Sequence, residues 1–152
     1  MPLPSLPQTG ACRCGRVTIR VTKPPMITCA CHCTGCQKMS SSAFSLTTIF
    51  PADGFEVIGE TVIGGIRGPQ LDHNFCPHCM SWMFTRVTGM DFMVNVRPTM
   101  FDQAEWGRPF METCTEEKLA FAETGAVRSF ARFPEAGEYE ELLEAYRAWV
   151  AA

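Results

Sequence analysis

Nine cysteines occur in 152 residues, and all but Cys114 fall into three tight units. These are Cys12-Arg-Cys14-Gly15, the stretch Thr28-Cys29-Ala30-Cys31-His32-Cys33-Thr34-Gly35-Cys36-Gln37-Lys38, and Cys76-Pro-His-Cys79. Thiolate sulfur is a soft ligand, and a structural zinc ion takes four such groups at about 2.3 Å in a tetrahedron. Two short cysteine pairs from distant segments, Cys12/Cys14 and Cys76/Cys79, supply that set and join the segments. With all four positions filled by protein, such a site stabilises the fold and offers no place for a substrate. Cys31, Cys33 and Cys36 form C-x-C-x-x-C. Three protein ligands leave one coordination position open, as catalytic zinc requires. Spacing alone leaves two alternatives. Cys29 can close a second four-cysteine site, because residues 29, 31 and 33 point to one side of an extended chain. Alternatively there is one metal site, and the remaining thiols are buried as small apolar groups.

Other side chains near these units invite weaker roles. His32 lies between two cysteines that share one side of an extended chain, so its ring is expected to point away from them. His78 sits at the tip of a turn and is expected in solvent, and His73 reads as a strand residue. Lys38 and Arg67 are basic groups that can pair with carboxylates of a substrate, and Ser40-Ser-Ser42 forms a polar exit from the second unit. Cys114 has no nearby partner in sequence and reads as a free thiol.

The elements that must position these groups are short. Gly15 to Thr22 alternates Val17, Ile19 and Val21 against Thr18, Arg20 and Thr22, the pattern of a half-buried strand. Further β-rich runs span 43–50, 54–59, 71–75, 82–87 and 92–96, separated by Pro51-Ala-Asp-Gly54, Gly64-Gly65, Gly68-Pro69 and Thr88-Gly89. Short strands with turns between them predict an antiparallel sheet fold. Residues 98–133 show no period and read as loops with one or two short elements. Apolar Tyr139, Leu142, Leu143, Tyr146, Trp149 and Val150 recur at helical spacing, predicting an amphipathic helix over 137–150 packed on the sheet.

The length is that of one domain, assigned to residues 10–152 behind a flexible lead-in at 1–9 interrupted by Pro2, Pro4 and Pro7. That lead-in lacks the basic and apolar regions of an export signal, so the thiols are expected to be reduced and cytoplasmic, where metal outweighs disulfides. Net charge is −3 and no Lys/Arg run exists, which excludes a phosphate-neutralising face, so no nucleic acid partner is expected. No apolar run reaches the roughly 18 to 20 residues that cross a bilayer, so no membrane partner is expected either. Oligomeric state has no signature in this sequence.

Three motifs in this order, Gly10-Ala-Cys12-Arg-Cys14-Gly15-Arg-Val17, Cys31-His-Cys33-Thr-Gly-Cys36-Gln-Lys38 and Asn74-Phe-Cys76-Pro-His-Cys79, resemble the glutathione-dependent formaldehyde-activating enzyme family, also described as the centromere-protein-V-like zinc domain. The resemblance runs from about Thr9 to Phe133. It implies a mainly β, Mss4-like (β-tent) fold with two zinc ions per chain. The structural zinc would sit on Cys12, Cys14, Cys76 and Cys79, and the catalytic zinc on Cys31, Cys33 and Cys36. The activity it implies is that of a carbon-sulfur lyase, condensing glutathione as co-substrate with formaldehyde into an S-hydroxymethyl adduct. The partners would then be a small-molecule thiol and an aldehyde, with Lys38 as a candidate glutathione contact. The centromere-protein branch implies instead a zinc-stabilised, non-catalytic protein-binding module. Two features depart from the pattern: Met80 stands after Cys79 where relatives usually carry Gly, and Cys29 is an additional thiol.

Overall fold

Val17, Ile19 and Val21 are all buried in the computed structural model of the chain, which describes residues 3–66 and 70–152. Arg67 and the turn expected at Gly68-Pro69 lie outside the described residues. The elements run β1 (Gln8–Ala11), β2 (Thr18–Val21), β3 (Ile27–Cys31), α1 (Thr34–Ser40), β4 (Ser45–Pro51), β5 (Phe55–Ile58) and β6 (Val62–Gly64). After them come β7 (Leu71–Phe75), β8 (Trp82–Val87), β9 (Met93–Val96), β10 (Met111–Thr113), β11 (Arg128–Ser129) and the helix α2 (Tyr139–Ala151). Residues 98–133 hold short 3-10 turns and two small strands, as their lack of period suggested.

The strands form a three-stranded sheet, β1-β2-β5, and an eight-stranded sheet in the order β11-β10-β3-β4-β9-β8-β7-β6. Pairing is antiparallel except at one edge, where β10 runs parallel to both β3 and β11. The purely antiparallel expectation is corrected there, because the long connection after β9 carries the chain round to enter the sheet in the direction of β3. A second correction concerns the lead-in. Gln8 and Thr9 already belong to β1, since the proline-free run from Gln8 can donate to a ladder that the preceding prolines could not join.

The large sheet has two different faces. One packs Phe50, Phe84, Val94 and Val96 against Ile19 and Val21 of the small sheet, with Phe101 and Trp106 completing the core. On the opposite face, α2 covers the β3 and β10 region through Leu142 and Tyr146, which cluster with Ile27, Cys29, Phe110 and Met111. The aromatic stripe therefore packs on the sheet: the Phe110 ring lies 5.7 Å from Tyr146 and 5.5 Å from Trp149. The rest of that face, towards β9, β8 and β7, carries polar side chains, with consequences described below.

Tyr146 is fully buried, so its truncation leaves a cavity that the rigid sheet beneath cannot close. Tyr146→Ala is expected to cost about 3 kcal/mol or more in urea-induced unfolding.

Candidate metal centres

The first thiol group forms where two turns meet. Cys12 and Cys14 lie between β1 and β2 of the small sheet, and Cys76 and Cys79 between β7 and β8 of the large one. The four sulfur atoms lie within 4.8 Å of one another, with Cys12 and Cys14 3.5 Å apart and Cys14 and Cys76 3.7 Å apart. Four thiolates set tetrahedrally at about 2.3 Å from one ion would be about 3.8 Å apart, so the group fits a zinc-sized cation. Each turn closes through a left-handed residue. Gly15 has φ 77° and its N–H donates to the Cys12 carbonyl; Met80 has φ 58° and its N–H donates to the Cys76 carbonyl. Only glycine adopts that conformation without a Cβ penalty, which is the physical reason a glycine suits the position Met80 occupies. Around the sulfurs, the Val17 N–H donates to Cys12 and the Ser81 hydroxyl lies 3.2 Å from Cys79. That hydroxyl leads in bringing the Cys79 thiol down to about 5, which prepares it as a thiolate ligand.

The second group is local. β3 ends at Cys31 and α1 begins at Thr34, so the chain turns through His32 and Cys33. Cys33 caps the helix, its sulfur accepting the Cys36 N–H at 3.3 Å. The sulfurs of Cys31, Cys33 and Cys36 lie within 4.8 Å of one another, and all three residues are half-buried. The Cys36 thiol leads in holding Cys31 down to about 5; in return, Cys31 pushes Cys36 up, and burial pushes Cys33 up. Three close sulfurs sharing one negative charge form a donor set that a cation would complete.

The other candidates stand outside the close group of three sulfurs. Cys29 does share the side of β3 with Cys31, but its sulfur stays outside the trio, 3.8 Å from the Thr113 hydroxyl and packed under α2. Burial pushes its thiol up to about 12. Cys114 is buried against the trio, its thiol in hydrogen-bond contact with Cys31, and burial followed by Cys31 raises it to about 12. Lys38 is exposed on α1, His78 is exposed, and the Ser40 hydroxyl donates to the Cys36 carbonyl at the end of the loop. His73 sits on β7, with Nδ1 2.9 Å from the Thr85 hydroxyl.

His32 points away from the trio, as its place between two cysteines required, and meets a carboxylate that gave no sign of itself in the sequence. Its Nε2 lies 2.9 Å from Glu112 of β10, both side chains being buried. Glu112 also accepts from Lys118, Thr124 and Ser129. Burial raises its pKa, but the hydrogen bonds from Ser129, Thr124, His32 and Lys118 outweigh that and bring it down to about 2. The thiol loop is tied to the same edge by the His32 N–H on the Thr113 carbonyl, by Gln37 Nε2 on the Glu117 carbonyl, and by Thr34 on the Glu117 carboxylate. Arg97 is the other group that sequence reading passed over. The alternation of Val94 and Val96 with Asn95 and Arg97 was its available signal, but such a pattern reads first as a solvated face.

A mainly β chain whose thiols converge in two groups of metal-binding geometry belongs to the class of β domains organised around cysteine metal sites. The model of the glutathione-dependent formaldehyde-activating enzyme family matches residues 7–117, and the chain belongs to that family, whose fold is Mss4-like. Among curated proteins none matches the chain. A crystal structure of a Rhodobacter sphaeroides protein is similar, with a TM-score of 0.52 and 16% identity over 62% of this chain and 88% of that one, a likeness of fold.

Two outcomes are expected. Met80→Gly should raise stability by about 1 kcal/mol in equilibrium unfolding, because it relieves the left-handed side chain while adding glycine's entropy to the unfolded state. Glu112 has a depressed pKa, so its stabilisation is present above its ordinary value of 4.5 and lost as pH falls towards about 2. Glu112→Gln should therefore be less stable than the parent by roughly 3 kcal/mol at neutral pH, with the gap in denaturant midpoint closing across that acid window.

Proposed function

We propose that the chain is a two-zinc enzyme that condenses glutathione, or a related small thiol, with formaldehyde or another small aldehyde. The observation that carries this reading is the contrast between the groups: four converging sulfurs in one and three in the other, with Cys29 held off the trio by its own packing. Cys12, Cys14, Cys76 and Cys79 would hold a structural ion, and Cys31, Cys33 and Cys36 an ion with one position left for a substrate. Zinc bound there supplies a Lewis acid that keeps a thiol ionised at neutral pH, where a free thiol with a pKa near 8.5 is mostly protonated.

The chemistry asked of the chain is then modest. The thiolate sulfur adds to the aldehyde carbon, a C–S bond forms, the C=O π pair becomes an alkoxide, and a proton from water gives the hydroxymethyl thioether. Bringing the two reactants together is the main contribution, because loss of translational freedom in a bound pair replaces a bimolecular encounter. The His32–Glu112 pair and the capped turn at Cys33 hold the three sulfurs in place from behind, outside the space where substrate would sit. The family to which the chain belongs is described by this chemistry, which supports the reading.

Elemental analysis is expected to give two zinc ions per chain, and 13C-formaldehyde NMR to show the adduct forming faster with protein and glutathione than with glutathione alone. Cys33→Ser should abolish that acceleration with little loss of stability, whereas Cys76→Ser should lower the melting temperature strongly, because only Cys76 joins the two sheets. Two zinc ions with no acceleration would leave a zinc-stabilised binding module and sink the enzymatic reading.

A further inference from the structure

Arg97 follows β9 and is only 7% exposed. Its guanidinium lies 4.0 Å from the centroid of the Trp82 ring, a contact that covers one face of the group. Nε meets no acceptor among the described residues, and no carboxylate there stands within salt-bridge reach of it. Burial pulls the guanidinium down to about 10, so it stays charged at neutral pH, and the titratable groups acting on it are the thiols of Cys36, Cys29 and Cys31. A buried cation without a partner is costly unless an anion completes it.

The neighbours of Arg97 repeat the pattern. Cys31 stands opposite Ser45 in the β3–β4 ladder, and Asn95 stands opposite both Ile49 and Thr85. Residues opposite one another share a face, as do residues two apart, so Cys31, Ser45, Asn95 and Arg97 lie on the same side of the large sheet. This is the polar side that α2 leaves towards β9 and β8. The Ser45 hydroxyl lies there beside the Cys36 thiol, and Asn95 Oδ1 is buried without a donor. Unsatisfied polar atoms are rare in a native interior, and of these the Arg97 Nε–H is the donor that an anion would satisfy.

We propose that Arg97 is the anion subsite of the second thiol centre, taking a carboxylate of the thiol co-substrate while that substrate's sulfur occupies the open position of the trio. The substrate class is a small mercaptocarboxylate, of which glutathione is one. The inference rests on the trio holding a metal with an open position. It adds that selection among thiols is made by charge at this one residue: a planar carboxylate can accept two parallel hydrogen bonds from the guanidinium edge, whereas an amide or alcohol of the same size cannot neutralise it.

The test compares 3-mercaptopropionate with its neutral amide, 3-mercaptopropionamide, titrated into protein carrying cobalt at the second centre and followed by the cobalt–thiolate absorption. The parent is expected to bind the carboxylate at least tenfold more tightly than the amide. Arg97→Gln should bring the two to parity while retaining two metal ions per chain, and Arg97→Lys should keep part of the preference. Equal binding of the two thiols by the parent overturns the proposal, and so does a preference that survives in Arg97→Gln. Loss of the cobalt from the second centre in that variant would make Arg97 a countercharge for the thiolates alone, and also overturns it. Failure of either thiol to perturb the cobalt spectrum overturns the open-position reading, and the subsite with it.

Discussion

The meeting of Cys12 and Cys14 with Cys76 and Cys79 is the contact on which the rest of the molecule depends. Each pair sits in a turn of a different sheet, separated by some sixty residues of chain, and the sulfurs come together at one end of the core that fills the space between the sheets. Cys12 and Cys76 are themselves members of that core, packed with Val17, Met83 and Phe101. The thiol group and the apolar core therefore form as one unit: neither sheet presents its pair correctly until the other is in place. A cation bound there would add its binding energy directly to folding, because no such donor set exists in the extended chain.

The second thiol group solves a different problem. Its three sulfurs come from consecutive turns of one segment, so proximity is cheap, but three sulfurs without a fourth in their group need to be braced from elsewhere. The bracing comes from behind, through buried polar groups. Glu112 collects His32, Lys118, Thr124 and Ser129 around one carboxylate, joining the thiol loop to β10 and to the chain that follows it. A buried carboxylate is costly when alone, yet with four donor side chains it rigidifies everything that donates to it. The parallel pairing of β10 with β3 is what brings Glu112 alongside the loop.

Both thiol centres thus share a division between what grips the ion and what shapes the space around it. At the first, Cys12 and Cys76 are buried in the apolar core, while Cys14 is exposed and Cys79 meets the Ser81 hydroxyl. At the second, one side is the Glu112 network and the other is the polar face of the large sheet, where Trp82 supports Arg97 and the Thr85 hydroxyl links Trp82 with His73.

Local spacing was enough to foresee much of this. Cysteines two or three residues apart must approach within a turn, so the close pairs and the C-x-C-x-x-C unit within each sulfur group could be read from the chain. The alternation at Val17, Ile19 and Val21 and the helical stripe from Tyr139 to Val150 likewise carry their own periods. The fate of Cys29 could not be foreseen, because strand alternation puts it beside Cys31, and only the arrival of Thr113 and α2 decides that it is packed away. The same holds for Glu112 and Arg97, each some sixty to eighty residues from the cysteines it serves and set beside them by strand register across the large sheet. Register over such separations is a property of the whole packed sheet, where one residue of slip turns every side chain to the other face, and no short window of sequence contains it.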